Sequence, residues 1–205
     1  MGVIQLLDAH TADKIAAGEV IERPVSVVKE LIENSIDAGS TLIETEIKDG
    51  GIALIAVRDN GCGMAKEDLT MAFMRHATSK LKNINDLNNL QSLGFRGEAL
   101  ASIAAVSQIE MTSAPSGSLS GHKITLTLGS VPVVTEIAAT GGTNIEVKNL
   151  FYNIPARRKF LKSNSYESGL ISELLTKYAL GHPKIRFRLI NNRKVVFDTA
   201  NMKTT

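Results

Sequence analysis

Of 205 residues only one, Cys62, is a cysteine. That excludes an internal disulfide and any zinc or iron–sulfur centre built on several thiolates, and it points to a reducing compartment. Tryptophan is missing and aromatic residues make up 4% of the chain, so a core has to be built from Ile, Leu, Val, Ala and Met. Long apolar runs are missing too. The stretch Ile52 to Val57 falls far short of the roughly 18 residues a membrane-spanning helix needs, and the chain reads as soluble. No Lys or Arg precedes Lys14 and no cleavable apolar core follows it, which argues against a secretory signal. Met1-Gly2 opens like a myristoylation site, but Leu6 stands where a Ser or Thr is required. The ordinary glycine-rich phosphate motifs are also absent. Gly117 to Lys123 has its glycines too close together and no hydroxyl after the lysine, so it reads as a turn, and Gly61-Cys62-Gly63 lacks the third glycine of a dinucleotide fingerprint.

What the chain does have is 43% hydrophobic and 21% charged residues, ample for one folded domain. The net charge of +2 conceals a division: residues 1–145 carry 11 Lys and Arg against 17 Asp and Glu, and residues 146–205 carry 12 against 4. On charge alone both parts read as solvated surface. The functional alternative is an acidic front that accepts a polyphosphate only with a cation, and a basic back that meets an anion such as DNA.

No repeat or long linker interrupts the chain. Residues 1–7 read as an arm or strand and Ala9 to Ala17 as a short helix stopped by Gly18. Pro24 suits the first turn of a helix running to about Ala38, with Gly39 beyond its end. Thr41 to Lys48 and Ile52 to Arg58 flank Asp49-Gly50-Gly51 as an antiparallel hairpin. Helices are expected over Lys66 to Met74 and Gly97 to Val106, with little strand character from Arg75 to Arg96. Strands follow at Ser107–Thr112, His122–Leu128, Val131–Ala138 and Thr143–Lys148, then helices over 155–162 and 166–180. A last hairpin joins Lys184–Ile190 to Lys194–Asp198 across Asn191-Asn192, and the polar run Ala200 to Thr205 ends the chain like a fragment of something longer. Helices mixed with antiparallel hairpins point to a two-layer α/β sandwich with a mixed, largely antiparallel sheet.

On the helix after Pro24, Val28, Leu31, Ile32 and Ile36 share one face, while Glu30, Glu33, Asn34 and Asp37 share the other. Spacing alone favours a solvated polar face. The competing reading makes Glu30 or Glu33 a base and Asn34 a neutral oxygen ligand for magnesium, and spacing does not choose between the two acids. Asp59-Asn60-Gly61-Cys62-Gly63-Met64 is either an Asn-Gly turn or a tight loop whose carboxylate accepts a hydrogen bond from an exocyclic amine such as that of adenine. Gly94-Phe95-Arg96-Gly97-Glu98-Ala99-Leu100 sets glycines around an arginine before a helix, the makings of an anion site. Thr78, Ser79 and Lys80 lie upstream of it, and Gly141-Gly142-Thr143 is a turn at a strand start. Cys62 reads as a small packing residue and His76 as structural.

In order and spacing these pieces resemble the GHKL ATPase superfamily, and within it the N-terminal ATPase domain of the MutL mismatch-repair family. The resemblance is carried by Lys14 to Val20, Val27 to Gly39 (VVKELIENSIDAG), Asp59 to Met64 (DNGCGM), Arg75 to Lys80 (RHATSK), Gly94 to Leu100 (GFRGEAL) and Leu150 to Lys159 (LFYNIPARRK). It implies a domain over residues 21–205 behind an arm over 1–20, with a second domain and a dimerisation region lying outside this chain. It also implies that Glu30 orients water on the γ-phosphate of ATP and that Asn34 coordinates Mg, with Ala38 close by. Asp59 would hold the adenine amine, Gly61, Gly63 and Met64 would line the pocket, and Thr143 would support Asp59. Thr78, Ser79, Lys80, Gly94, Phe95, Arg96, Gly97, Glu98, Ala99 and Leu100 would cover the phosphates.

Family members couple ATP binding to dimerisation and signal between mismatch-recognition and excision proteins. The intact protein is therefore expected to be a homodimer, cytoplasmic and nucleoid-associated in a bacterium or nuclear in a eukaryote, and hydrolysis by this chain alone is expected to be very slow. Two other readings compete: a chaperone, topoisomerase or kinase ATPase of the same fold, and a non-catalytic DNA-binding module. The latter would rest on Arg157, Arg158, Lys159, Lys162, Arg186, Arg188, Arg193 and Lys194.

Overall fold

Proline can open a helix but not continue one, and Pro24 does so here. Helix α1 (Pro24–Asp37) starts after an extended Arg23 and leaves through Gly39 at φ 73°. In the computed structural model, which describes residues 20–80, 92–94, 96–127 and 130–199 together with Gln5 and Gly18, the remaining elements follow closely. They are β1 (Leu42–Lys48), β2 (Leu54–Asp59), α2 (Lys66–Met71), α3 (Ala99–Val106), β3 (Gln108–Ala114), β4 (Ser120–Leu126), β5 (Val133–Ala138) and β6 (Gly142–Lys148). The chain then adds α4 (Pro155–Phe160), α5 (Asn164–Gly181), β7 (Arg186–Asn191) and β8 (Lys194–Asp198).

The eight strands form one sheet in the order β5-β4-β3-β6-β2-β1-β7-β8. Every ladder is antiparallel except that between β1 and β7, so the mixed, largely antiparallel sheet is as expected. Strand side chains alternate between faces, and the apolar set of β1, β3 and β6 (Ile43, Ile47, Ile109, Met111, Ile145, Val147) turns to one side. There Val27, Val28, Leu31 and Ile32 of α1, Ile103 and Val106 of α3, and Ile171 and Leu175 of α5 complete a single core. The opposite face carries charged ladders, among them Arg58 and Arg188 on Glu44 and Lys123 and Lys148 on Glu110. One buried face and one polar face make a two-layer sandwich.

Several boundaries shift from expectation for local reasons. The first hairpin is closed by a 3-10 turn over Asp49–Gly51. Helix α2 stops at Met71 rather than Met74, and α3 starts at Ala99 because Gly97, at φ 65°, is not helical. Ser163 caps α5 by accepting the Tyr166 N–H at 3.3 Å, which starts that helix at Asn164. The last hairpin turns on Asn192-Arg193, both left-handed at φ 48° and 67°, one residue later than read; such a pair matches the twist of the flanking strands.

The short helix read over Ala9 to Ala17 and the arm before it lie outside the described residues. The stop read at Gly18 is a correction: Gly18 and Val20 are both helical. A Cβ at Gly18 would lie 2.1 Å from a guanidinium nitrogen of Arg157, so a larger residue there would have to displace the end of that side chain.

Candidate nucleotide site

The polar face of α1 is not solvated, contrary to the reading that spacing alone favours. Glu33 is 8% exposed. Its Oε1 accepts the Tyr178 hydroxyl at 2.6 Å and its Oε2 accepts the Lys29 ammonium at 2.9 Å. Both oxygens are thereby occupied. Burial first, and then the bond to Glu33, holds the Tyr178 hydroxyl protonated well above the ordinary tyrosine range. Burial works against the Lys29 ammonium, but Glu33 and Glu30 together hold it above the ordinary lysine value. Glu30, next to Lys29, has among the described residues only a long 3.4 Å contact from that lysine to one of its oxygens. Geometry thus separates the two acids that spacing left equivalent.

Asn34 and Asp37, one turn further on, both meet Lys80. Its ammonium donates to Asn34 Oδ1 at 3.1 Å and, in a short contact, to Asp37 Oδ2. The Asp37 carboxylate also accepts the backbone N–H of Leu93 at 3.0 Å and of Gly94 at 3.3 Å. Thr78 folds Lys80 back by accepting its N–H at 3.1 Å, while Ser79 is exposed. The two flanks of the 75–96 stretch therefore meet at the C-terminal end of α1. Phe95 lies outside the described residues. Arg96 is exposed, and the N-terminal end of α3, with Glu98 at its cap and Ala99 and Leu100 in its first turn, carries no side-chain cap bond. Glu98 instead faces His76, whose exposed side chain places Nδ1 3.3 Å from its carboxylate.

Asp59 ends β2 beside α1. Its Oδ2 accepts the Ser35 hydroxyl at 2.8 Å and its Oδ1 accepts the Gly61 N–H at 2.9 Å. A carboxylate offers about four acceptor positions, and these two bonds orient it while leaving further lone pairs. Thr143 lies opposite Asp59 in the β2–β6 ladder, but its hydroxyl pairs with Ser113 Oγ at 2.9 Å. The same Ser113 oxygen accepts the Met64 N–H at 2.9 Å. So Thr143 braces the neighbouring loop, and the side-chain hydroxyl on Asp59 is that of Ser35. Gly63 sits at φ 65° with Ala114 O 1.8 Å from where a Cβ would stand, a position closed to any side chain. Ala38 O accepts the Cys62 N–H at 3.0 Å, which ties the loop to the end of α1. Cys62 itself is exposed, not a packing residue.

Sequence reasoning missed Ser35, Ser113 and the role of Asp37. Ser35 was detectable as a polar residue at helical spacing from Val28 and Leu31, on a face that is otherwise apolar. Ser113 gives no such signal, because its role depends on a partner thirty residues away.

The basic residues divide. Arg157 lies against Phe151, its carbon 5.6 Å from the ring centroid, and donates to Ile21 O at 3.3 Å. Arg186 is held bidentately by Asp198 at 2.9 and 2.8 Å, and Arg188 pairs with Glu44 at 2.9 Å. Lys162 sits 4.4 Å from the Tyr166 ring centroid. Arg158, Lys159, Arg193 and Lys194 are exposed and have no acidic partner among the described residues.

For a metal, no group of three or more His, Cys, Asp or Glu side chains among the described residues converges on one point. The donor offered is one hard neutral oxygen, Asn34 Oδ1, beside the Asp37 carboxylate. That set fits an ion such as magnesium, which takes few protein ligands and fills its shell with water and phosphate oxygens.

The family described as histidine kinase-, DNA gyrase B- and HSP90-like ATPases matches residues 22–150. The DNA mismatch repair protein MutL of Thermoanaerobacter pseudethanolicus is 52% identical over 200 residues, covering 98% of this chain and 33% of that protein. MutL of Desulforamulus reducens is 50% identical over 208 residues, covering 100% of this chain and 32% of that protein. The chain thus spans about a third of the length of these curated relatives. Among solved structures, the Aquifex aeolicus MutL ATPase domain complexed with ADP superimposes with a TM-score of 0.72 at 35% identity, over 87% of this chain and 64% of that one. No helix among the described residues is long and apolar enough to cross a membrane. The chain belongs to the histidine kinase-, DNA gyrase B- and HSP90-like ATPase family, in its MutL mismatch-repair branch.

Proposed function

We propose that this chain binds ATP between α1, the 59–64 loop and the N-terminal end of α3, and hydrolyses it with magnesium as part of a MutL-type mismatch-repair protein. The observation that carries the reading is Asp59, oriented by Ser35 and Gly61 N–H at the end of a central strand. A fixed carboxylate with lone pairs to spare is an acceptor suited to the exocyclic amine of adenine. The ADP-complexed Aquifex aeolicus relative supports the same ligand class.

In this mechanism Gly61, Gly63 and Met64 give the base a close backbone wall, with Ala38 and Thr143 holding that wall to α1 and β6. Thr78, Ser79 and Lys80 meet the phosphates from one side. Gly94, Arg96, Gly97, Glu98, Ala99 and Leu100 meet them from the other, where the N-terminal N–H groups of α3 favour an anion. Asn34 would hold magnesium, which supplies charge neutralisation on the β- and γ-phosphates when bound. Glu30 orients the attacking water and accepts its proton. Support for Glu30 over Glu33 is the commitment of both Glu33 oxygens to Tyr178 and Lys29. Phosphoryl transfer needs mainly positioning and charge stabilisation, so few residues do chemistry.

For the whole protein we extend the reading to a homodimer whose ATP state signals between mismatch-recognition and excision proteins, inside a cell and on DNA. Non-specific DNA contact is best supported at Arg158, Lys159, Arg193 and Lys194, which are exposed and have no acidic partner among the described residues. Replacing Glu30 with Ala in a chain extended through the following domain is expected to spare ATP binding and to lower phosphate release by two or more orders of magnitude. Unchanged phosphate release would remove Glu30 from the mechanism.

A further inference from the structure

Lys80 is the one cation that the described structure places on the polar face of α1 at Asn34. Its side chain is 20% exposed and that of Asp37 is 10% exposed. Its ammonium bridges a neutral amide oxygen, Asn34 Oδ1 at 3.1 Å, and the Asp37 carboxylate. A Cβ at Gly94 would stand 3.4 Å from Lys80 Nζ and 4.0 Å from Asn34 Oδ1, so the returning backbone passes directly over the ammonium. Asp37 holds that backbone by accepting the N–H groups of Leu93 and Gly94. Removing the ammonium with nothing in its place would leave the largely enclosed Asp37 carboxylate with two backbone N–H bonds but no compensating charge, a costly arrangement. Yet Asn34 Oδ1 is also the oxygen that the proposed function gives to the metal. An ammonium and a divalent ion facing one amide oxygen at bonding distance repel each other strongly in so enclosed a setting.

We propose that Lys80 is a built-in placeholder for the divalent ion. Without nucleotide it satisfies Asn34 and Asp37 and keeps the Leu93-Gly94 backbone seated on α1. When a magnesium nucleotide enters, Lys80 leaves Asn34 Oδ1 and turns its ammonium to the phosphates, while Asp37 retains the two backbone N–H groups. The inference rests on the nucleotide reading above and adds a competition to it: the magnesium concentration needed for tight nucleotide binding is set in part by Lys80.

The test is the affinity of a fluorescent ATP analogue measured across a magnesium titration for the wild-type chain, Lys80→Met and Lys80→Arg. Lys80→Met is expected to lower the magnesium midpoint by about tenfold, within the usual range of coupling between two sites, while the nucleotide affinity reached at saturating magnesium falls because the phosphates lose the ammonium. Lys80→Arg, which keeps a cation, is expected to stay near the wild type. An unchanged midpoint in Lys80→Met overturns the proposal. Hydrogen exchange on the nucleotide-free chain judges the seat independently: Asp37→Ala, or Asp37→Asn if the first folds poorly, should speed exchange at Leu93 and Gly94. Exchange left as in the wild type would also overturn it. A wild-type chain that binds no nucleotide at any magnesium concentration overturns the ATPase reading itself, and the exchange result then still decides whether Asp37 holds this backbone.

Discussion

In the proposed mechanism Asp59 holds the ligand and Glu30 acts on it, and their surroundings differ in a way that fits these roles. Asp59 is braced by a hydroxyl and a backbone N–H, whereas Glu30 keeps one long contact to Lys29 and, among the described residues, an oxygen without a partner. Removing the brace tests its role. Ser35→Ala should weaken ATP binding by about 1.5 kcal/mol, the value of a hydrogen bond to a charged group at its lower end, with folding little changed; titration calorimetry reads the first and thermal melting the second. At this scale the sequence was legible where a residue type is rare in its setting, as with Asp59 between a strand and two glycines. It was not legible where the role depends on a distant partner. Glu30 and Glu33 look alike in sequence, and Tyr178, 145 positions from Glu33, separates them only after the chain has folded.

Between elements, the Tyr178–Glu33–Lys29 chain ties α5 to α1, and its pH dependence follows from the direction of the shift. The native state keeps a proton on Tyr178 that the unfolded chain releases near pH 10. The stability this contributes is fully present below about pH 10 and is lost as pH rises beyond it. Tyr178→Phe should therefore cost about 1 kcal/mol at pH 8 and progressively less above pH 10, as read by urea unfolding. At the 59–64 loop, Gly63→Ala forces a methyl against Ala114 O at a left-handed position and should destabilise the fold by about 2–4 kcal/mol, seen as a lower Tm. Element types were readable from periodicity: the alternation in β1 and β3 and the 3.6-residue repeat in α1 agree with their burial. Boundaries were less so. Met71 and Ala99 end and begin helices where tertiary turns and the left-handed Gly97 take over, which local propensity does not report.

Across the whole molecule, the proposed function gives the acidic front and basic back noted in the sequence different uses. The front supplies α1 and Asp59, and a polyphosphate can approach it once a cation offsets Glu30, Glu33 and Asp37. In the back, the folded structure consumes Arg157, Arg186 and Arg188 in internal contacts, something a charge count could not foresee. If Arg158, Lys159, Arg193 and Lys194, exposed and without an acidic partner among the described residues, touch DNA phosphates, affinity should fall steeply with salt, with log K sloping by up to about −0.9 for each phosphate contact. Replacing all four with Gln should flatten that slope in a filter-binding or polarisation titration.

The central claim, that Asp59 anchors the base of ATP in this fold, is tested most directly by titration calorimetry of magnesium ATP into the wild-type chain and Asp59→Ala. The account predicts saturable binding by the wild type that weakens at least tenfold in the variant, in line with the roughly 1.5–3 kcal/mol of a charged hydrogen bond, while both proteins melt cooperatively. Equal affinity in two folded proteins would contradict it.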